Sequence, residues 1–524
     1  GDVSNVVAKY SASDNTISVS WTNPTDEDFA GIVITYGKKD SEETTTIELS
    51  NDITSYEIEN IPDDDSEYTI SLKTKDDVEN FGEAKIVTLV ASKRATISGV
   101  TIPNAGEGYT GELPVTIIGE NLIGNVITCN DETFTNITYL SDTKATATIT
   151  CSGVVGESTI TVTSGISSAT GTVKVVAAEK CYSVGDILFT DGTRIKAENV
   201  QYGIPDSQLS KAFAVITSVS YGGGVGKAVG LQKSSVLLEW APSGTTGYST
   251  NFTRIQADYS GDSSSGYTFT GDIDGSDNWE HICSIDPEGT KDAANNYPAF
   301  NFALTYGTQA GLTGTEYETG WYVPSVAELY DVYTNKEVVQ TSLNAAGGFT
   351  LGTSYYWSSS QYASYSGNAY QVDCNDGYVG YNRKYFDYNV FVLQAFNAEQ
   401  FNNYEYNTEI SSVEIPTIAE GFVGEVPVKI KGKDLIQKIT VSGLTISTID
   451  YISDAKAIAY VTTTGTETET TITVSCGTAS ATTTLKVIES VASYAVGDII
   501  LTNETKVSVA NVATYTIDEN NKPI

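Results

Sequence analysis

WSSSQYASYSGNAYQVDCNDGYVGYNRKYFDYNVFVLQAF, residues 357–396, sets small and apolar positions into a dense mixture of Tyr, Asn, Ser, Asp and Gly. From Tyr370 to Asn375 the chain alternates with period two. Tyr370, Val372 and Cys374 fall on one side, and Gln371, Asp373 and Asn375 on the other. Asp376-Gly377 is a hairpin turn signal. The returning strand is expected to place Val390 and Val392 inward, with Asp387, Asn389 and Phe391 outward. Seven tyrosines lie between Tyr362 and Tyr388, more than the packing of a short polar hairpin requires. Binding loops favour this palette: Tyr gives large contact area with few rotatable bonds, while Ser, Gly and Asn adapt their hydrogen bonds. The segment reads as a recognition surface. The plainer alternative is an exposed, tyrosine-rich hairpin on a secreted domain.

The expected contact residues follow from that hairpin. The first loop offers Tyr362, Ser364, Tyr365, Ser366 and Asn368, and the outgoing strand Tyr370, Gln371 and Asp373. The turn offers Asn375, Asp376 and Tyr378, and the return Tyr381, Asn382, Arg383, Tyr385 and Phe386. Asp387, Tyr388, Asn389 and Phe391 complete the set. The tyrosines and Arg383 are the best anchor types. Helical signals flank the hairpin on its N-terminal side. PSVAELYDVYTN has Pro324 at a helix-compatible first position, and KEVVQTSLNAAGG stops at Gly347 and Gly348. These helices and the tryptophans are expected to hold the patch rigid.

Working outward, an internal repeat sets the layout. IPNAGEGYTGELPVTIIGENLIGNVIT, residues 102–128, matches IPTIAEGFVGEVPVKIKGKDLIQKIT, residues 415–440. The match runs on through ITYLSDTKATA against IDYISDAKAIA, then VGDILFTDGTRIKAENV against VGDIILTNETKVSVANV. Both copies alternate in short runs between Gly, Asn and Asp, which predicts small β-sandwiches. Five segments follow. Residues 1–94 form one unit, 95–178 the first repeat, 179–397 a Gly-, Tyr- and Trp-rich α+β module, 398–491 a linker with the second repeat, and 492–524 the start of a second such module, cut inside it. The fold class is multidomain and mainly β.

Composition bounds the function. At 524 residues the chain exceeds one core. A formal net charge of -37 repels nucleic acid and anionic membrane surfaces, so neither is an expected partner. No run approaches the ~20 apolar residues that span a bilayer, so membrane association would need an anchor that these residues do not supply. There is no Met and no signal-like start at Gly1, so a targeting segment was removed or this is a fragment. The six cysteines form no CxxC pair, and His281 is the sole histidine, so neither a thiolate zinc site nor a nucleophile–His pair is well supported. Cys129 and Cys151 are both missing from the second copy, where Val441 and Thr463 stand; a disulfide would explain the joint absence, and so would two independent losses.

Three motifs reduce to plainer readings. YGGGVGKA, 221–228, lacks the phosphate-loop spacing and reads as a Gly-rich hairpin turn. GDIDGSDNWEHI, 271–282, starts like a calcium loop, but its Gly275 comes two places early and no Glu stands at 283, which favours a solvated acidic turn. His281 beside Cys283 reads as structural.

Resemblances sharpen these expectations. Residues 1–94, with Trp21 in ISVSWTNP, Tyr36 in GIVITYG and Tyr68 before an alternating strand, resemble a fibronectin type III domain. The repeats resemble the immunoglobulin-like IPT/TIG modules of bacterial surface proteins. The order DGSDNWEHICSIDPEGT, GWYVPSVAELYDVY, SYYWSSSQYAS and the Tyr-rich tail ending VLQAF resembles the variable proteins of diversity-generating retroelements over residues 184–396. Their relatives include a phage tropism determinant and bacterial surface lipoproteins.

That resemblance implies a C-type-lectin-like fold whose adenine-derived codons are diversified. The skeleton it implies is Trp357, Ser358, Ser359, Ala369, Val372, Gly377, Val379, Lys384, Val390, Ala395 and Phe396. Cys374 is then one draw among many. The ending VFVLQAF lacks the basic residue and proline expected of the family, and no EPN or WND calcium triplet occurs. The formylglycine-generating enzymes of the same fold need a reactive cysteine pair that Cys283 and Cys374 do not match. The expectation is a non-enzymatic, exported receptor or adhesin without cofactor, binding a macromolecular ligand, in the first place a protein on another cell or particle. The alternatives are a glycan-binding adhesin and a structural stalk.

Overall fold

The computed structural model describes residues 1–11, 15–62, 64–91, 94–123, 125–352, 354–466, 469–489, 494–500 and 506–508. By contacts the chain divides into two compact units. One holds Gly1–Ile102, Glu112–Thr150 and Glu157–Val173, and the other holds the rest, including all of the tyrosine-rich hairpin.

Thr16–Thr22 alternates as the sequence demands, burying Ile17, Val19 and Trp21 and exposing Ser18, Ser20 and Thr22. It lies between Ser4–Ser11 and Ser55–Ile58 in a three-stranded sheet. A four-stranded sheet, in the order Thr45–Ser50, Phe29–Lys38, Ser66–Asp76, Lys85–Ala91, supplies the opposing face through Ile32, Ile34, Ile70 and Leu72. Three strands against four in this order is the fibronectin type III arrangement. Trp21 is buried, and its indole N–H donates to Asn23 Oδ1 at 2.7 Å. Tyr68 is buried in the same core.

The two repeats fold with one strand order. In the first, Thr135–Ser141, Lys144–Thr150, Glu112–Glu120 and Thr96–Thr101 form a sheet; in the second, Thr445–Ser453, Lys456–Thr463, Gly424–Lys433 and Glu409–Glu414 take the equivalent places. Register is kept as well: Val115 faces Ala147 in the first copy, and Val428 faces Ala459 in the second. The disulfide that Cys129 and Cys151 could have formed is absent, and both thiols are free. Cys151 is buried, and Thr463 at the same place in the second copy is buried too. The position takes a small buried side chain, a role in which a thiol acts as a small hydrophobe.

The α+β domain is built on two sheets. We label its strands β1 (Ile187–Phe189), β2 (Thr193–Ile195), β3 (Ala212–Ser220), β4 (Val225–Gly230), β5 (Leu238–Glu239), β6 (Gln256–Asp262) and β7 (Gly266–Gly271). Helices α1 (Asn278–Ile285), α2 (Pro298–Gln309), α3 (Val326–Thr334) and α4 (Lys336–Ala345) follow. Then come β8 (Tyr355–Tyr362), β9 (Asn368–Asp373), β10 (Val379–Arg383), β11 (Asp387–Tyr388), β12 (Leu393–Asn397) and β13 (Asn402–Asn403). One sheet has the order β12-β4-β3-β1-β2-β13, so the domain takes in residues past 397. The other has the order β7-β6-β8-β9-β10. The Gly-rich stretch 221–224 is the turn joining β3 to β4.

Pro324 lies outside α3 rather than at its first position; Ser325 is the N-cap. Ser325 Oγ accepts from Glu328 N and Glu328 Oε2 accepts from Ser325 N at 2.9 Å, a reciprocal capping box. Glu328 also takes Tyr322 OH, Gly275 N and the Lys227 ammonium. Gly347, at φ 72, follows the C-cap of α4 as expected.

Most of 492–524 lies outside the described residues. Where it is described, Ile499 pairs with Val507 and Ile500 with Lys506, as Ile187 pairs with Ile195 and Leu188 with Arg194 in the first copy. Among the described residues no helix is long and apolar enough to cross a membrane.

Candidate recognition surface

The hairpin stands on β8, whose small hydroxyl side chains let other elements approach closely. Ser358 Oγ donates to Tyr370 O at 3.0 Å. Ser360 Oγ donates to Asp272 Oδ2 at 2.7 Å and accepts from Val326 N, the start of α3. Asn278 Nδ2 bridges Asp272 and Ser359 Oγ. Gln361 takes Phe252 N and donates to Thr250 O and Ser366 O, which fixes the first loop. Trp357 is fully buried, and its indole donates to Leu238 O at 2.9 Å and Phe386 O at 3.2 Å. β9 then pairs with β8 and β10, Tyr370 opposite Tyr381 and Gln371 opposite Gly380.

The turn confirms its signal. Gly377 has φ 77, its N–H donates to Asp373 O at 2.8 Å, and any Cβ there would collide with the Tyr333 ring. Glycine is required twice over.

Most expected contact residues reach solvent. Ser364, Tyr365, Asn375, Asp376, Tyr378, Tyr381, Arg383, Phe386 and Asp387 are exposed, and Tyr362, Ser366, Asn368, Asp373, Asn382, Tyr385, Tyr388 and Asn389 are half-buried. Tyr365, Tyr378 and Tyr381 are 50%, 48% and 44% exposed, far more than packing residues would be. Tyr381 stacks on Tyr362 with centroids 3.8 Å apart, and Arg383 lies 5.9 Å from the centre of the Tyr385 ring. Asn382 Nδ2 donates to Tyr388 OH at 2.8 Å.

Three expected contact residues are buried instead: Tyr370, Gln371 and Phe391. Tyr370 sits beneath Tyr362, Tyr381 and Tyr259, with its hydroxyl on Ala257 O. Gln371 lies on the face that the alternation predicts to be outward, but it stands opposite fully buried Trp357, and that face is covered there. Phe391 fails for a different reason. Residues 390–392 are not an alternating strand; they thread between the sheets, with Val390 O accepting from Ser234 N and Val392 O from Gly230 N. Both sides are covered, and Phe391 packs on Tyr356 and Phe349. The sequence also missed two members. Tyr355 is exposed beside Tyr388 at 5.6 Å, and Tyr248 lies 5.7 Å from Tyr385. Tyr355 was legible as the outward partner of buried Tyr356; Tyr248 comes from a distant loop without a local signal.

The acidic turn at 271–282 is drawn into structure rather than left solvated. Asp274 accepts from Ser276 N and pairs with Lys227 at 3.5 Å. Asp272 is buried, and burial pushes its carboxyl up to about 7 against the opposing hydrogen bonds from Ser360 and Asn278. His281 is buried with Nε2 toward Arg254 N, and Cys283 is half-buried. Among the described residues no three His, Cys, Asp or Glu side chains are arranged to hold a metal.

Asp272 makes stability depend on pH. The neutral carboxyl is the favoured buried form, so its contribution is complete below an unfolded value near 3.8 and is lost as pH rises through about 7. Asp272→Asn should flatten that decline, which is on the order of 4 kcal/mol for a lone group. Denaturant midpoints of both proteins between pH 4.5 and 8 measure it; parallel pH profiles would refute the assignment.

Lys384 is a second buried titratable group. Its Nζ donates to Gly247 O at 2.9 Å and sits 4.1 Å from the Trp240 ring centre and 5.0 Å from that of Phe252. No carboxylate pairs with it among the described residues, and burial holds its ammonium well below the usual lysine range. The native domain should therefore gain stability as pH rises from 7 to 10, because the unfolded chain binds the proton that the buried amine gives up. Lys384→Met should remove that gain, as read from midpoints at the two pH values.

No family model and no curated protein matches this chain. Among solved structures, the FN1–FN3 domains of chicken CNTN1 are 22% identical, with a TM-score of 0.16; the match covers 17% of this chain and 31% of that one. The fn3 domain of human contactin 1 is 19% identical over 18% of this chain and 77% of its own, with a TM-score of 0.16. A two-domain fibronectin type III segment of chicken tenascin is 16% identical over 33% of this chain and 99% of its own, with a TM-score of 0.17. The chain thus spans less than a third of the CNTN1 segment.

Proposed function

We propose that this chain is an exported cell-surface binding protein. Its α+β domain displays a recognition surface for a protein ligand, and its sandwiches act as spacers. The observation that carries this reading is a division within residues 357–396. Of the skeleton positions, Trp357, Ser358, Ser359, Ala369, Val372, Gly377, Val379, Lys384, Val390 and Phe396 are buried, and Ala395 is exposed. The exposed side chains between Tyr362 and Tyr388 belong, apart from Ala363, to the expected contact set. Such a hairpin can change its surface without changing its core. That is the requirement of a C-type-lectin-like domain diversified by a retroelement, which is the origin we propose for it. Its action is binding, without catalysis or cofactor.

The test is the DNA around the gene. A near-copy of the codons for 357–396, differing only where it carries adenines and lying beside a reverse transcriptase gene, is the expected result. A locus without such a copy would overturn the retroelement origin and leave a fixed binding face.

A further inference from the structure

The face of the hairpin on which Gln371 stands carries an unmet acceptor. Gln371 is only 6% exposed, and its Oε1 is buried with no hydrogen-bond partner among the described residues. A buried carbonyl without a donor is costly, and a donor brought by a bound partner would satisfy it. The amide end lies against Gly380, where a Cβ would stand 3.4 Å from Nε2, with the Tyr378 ring beside it. The absence of a side chain at Gly380 leaves the exposed ring of Tyr378 as the cover over the amide.

The surroundings indicate the charge of that donor. Asp373 stands on the same face two residues along β9 and pairs across the strands with exposed Tyr355. Asp376 caps the turn beside it. Each carboxylate uses Oδ1 locally, for Asn375 N and Tyr378 N respectively, and neither forms an ion pair among the described residues. Tyr355 stands opposite Asp373 across the strands, and burial first, then the charges of Asp373 and Asp376, push its phenol up. Nearby cations are engaged elsewhere: the Lys336 ammonium on Asn375 O and the Tyr333 ring, Lys233 at the Tyr356 ring, and Arg383 at Tyr385. Flat tyrosine faces, free carboxylate oxygens and a buried amide acceptor suit one side chain above others. A guanidinium is planar, stacks on aromatic rings, and presents several N–H donors in a fixed fork. The net charge of -37 would steer such a partner in.

We propose that the facet made by Tyr355, Asp373, Asp376, Tyr378 and Tyr388 over Gln371 receives an arginine side chain of the protein ligand. The inference rests on the reading of this hairpin as the recognition surface and names the chemistry of its partner. Tyr378 moves aside, the guanidinium stacks between tyrosines, one N–H reaches Gln371 Oε1, and others reach Asp373 and Asp376.

A random-peptide phage library, selected on the full chain, tests both levels. The expected result is enrichment of arginine among binders. Their affinity should fall about tenfold or more on Asp373→Asn/Asp376→Asn, and again on Gln371→Met, which keeps the volume but removes the acceptor. Replacing the arginine by citrulline in a recovered peptide should give the same loss on the unmodified chain. Circular dichroism and melting of each variant separate binding loss from misfolding, and Gln371→Met should melt no lower than the native chain. Binders abolished by Tyr381→Ala but without arginine, or indifferent to the two aspartates, would overturn the arginine site and leave the recognition surface standing. Selections whose binders ignore both Tyr381→Ala and Tyr378→Ala would overturn both.

Discussion

Trp357→Ala is expected to unfold the α+β domain or bring it to the edge of unfolding. The side chain is fully buried in the larger aromatic core, its ring lies 4.7 Å from Tyr388, and its backbone N–H donates to Asn389 O. Truncating a core tryptophan costs about 3–5 kcal/mol through lost transfer energy and the cavity left behind. Here it also removes the donor from two carbonyls, Leu238 O and Phe386 O, which tie β5 and the segment before β11 to β8. Unsatisfied acceptors add about 1–3 kcal/mol. Against a domain stability of about 5–15 kcal/mol this is a large share. Trp357→Phe keeps most of the ring and should lose only the hydrogen-bond part. Amide hydrogen exchange separates the domains, since the chain is not a two-state system. Protection across β8 and β9 should collapse in the alanine variant while Thr16–Thr22 and Ser66–Asp76 keep theirs. A loss under about 1 kcal/mol would mean that the indole is not the keystone of the hairpin.

The sequence disclosed the architecture where the pattern was local or repeated. Alternation in 16–22 specified a half-buried strand, and the repeat specified two sandwiches down to the pairing of Val115 with Ala147 and of Val428 with Ala459. Outward and inward faces of β9 were also legible, because side-chain direction has period two. What covers a face is not local. Gln371 shares its face with buried Trp357 across β8, and Phe391 lies where both sides of the chain are covered. The same limit hid the acid network. Asp272 looked like part of a solvated turn, because its partner Ser360 is 88 residues away in sequence. The missing cysteines of the second copy invited a disulfide, yet the structure accounts for Cys151 and Thr463 as alternative small buried residues. At Ser325 the N-cap was readable from Ser-x-x-Glu, a stronger signal than the proline before it.

Removing the exposed tyrosines should do the opposite of removing Trp357: binding is lost and the fold stays. Tyr365, Tyr378 and Tyr381 each leave about half of their surface in solvent, and the side-chain hydrogen bonds of Tyr365 and Tyr381 run to the neighbouring tyrosines Tyr248 and Tyr362. Surface substitutions of this kind usually move stability by no more than about 0.5 kcal/mol. Tyr381 is the demanding case, because it stacks on Tyr362 and lies 6.3 Å from Tyr370. Aromatic pairs contribute about 0.5–1.5 kcal/mol beyond their area, so Tyr381→Ala should lower the melting temperature by a few degrees at most. Anchoring tyrosines in an interface cost about 2 kcal/mol or more on truncation, roughly thirtyfold in affinity for each. The triple alanine variant should therefore lose measurable binding to a protein binder selected on the native chain, while Trp357 fluorescence and exchange protection of β9 remain native. Tyr388→Ala is the informative contrast. Its ring rests on Trp357 and its hydroxyl accepts from Asn382, so it should cost both stability and affinity. Undiminished binding by the triple variant would show that these side chains are exposed without being used, and the hairpin would then be a bystander on the surface of the domain.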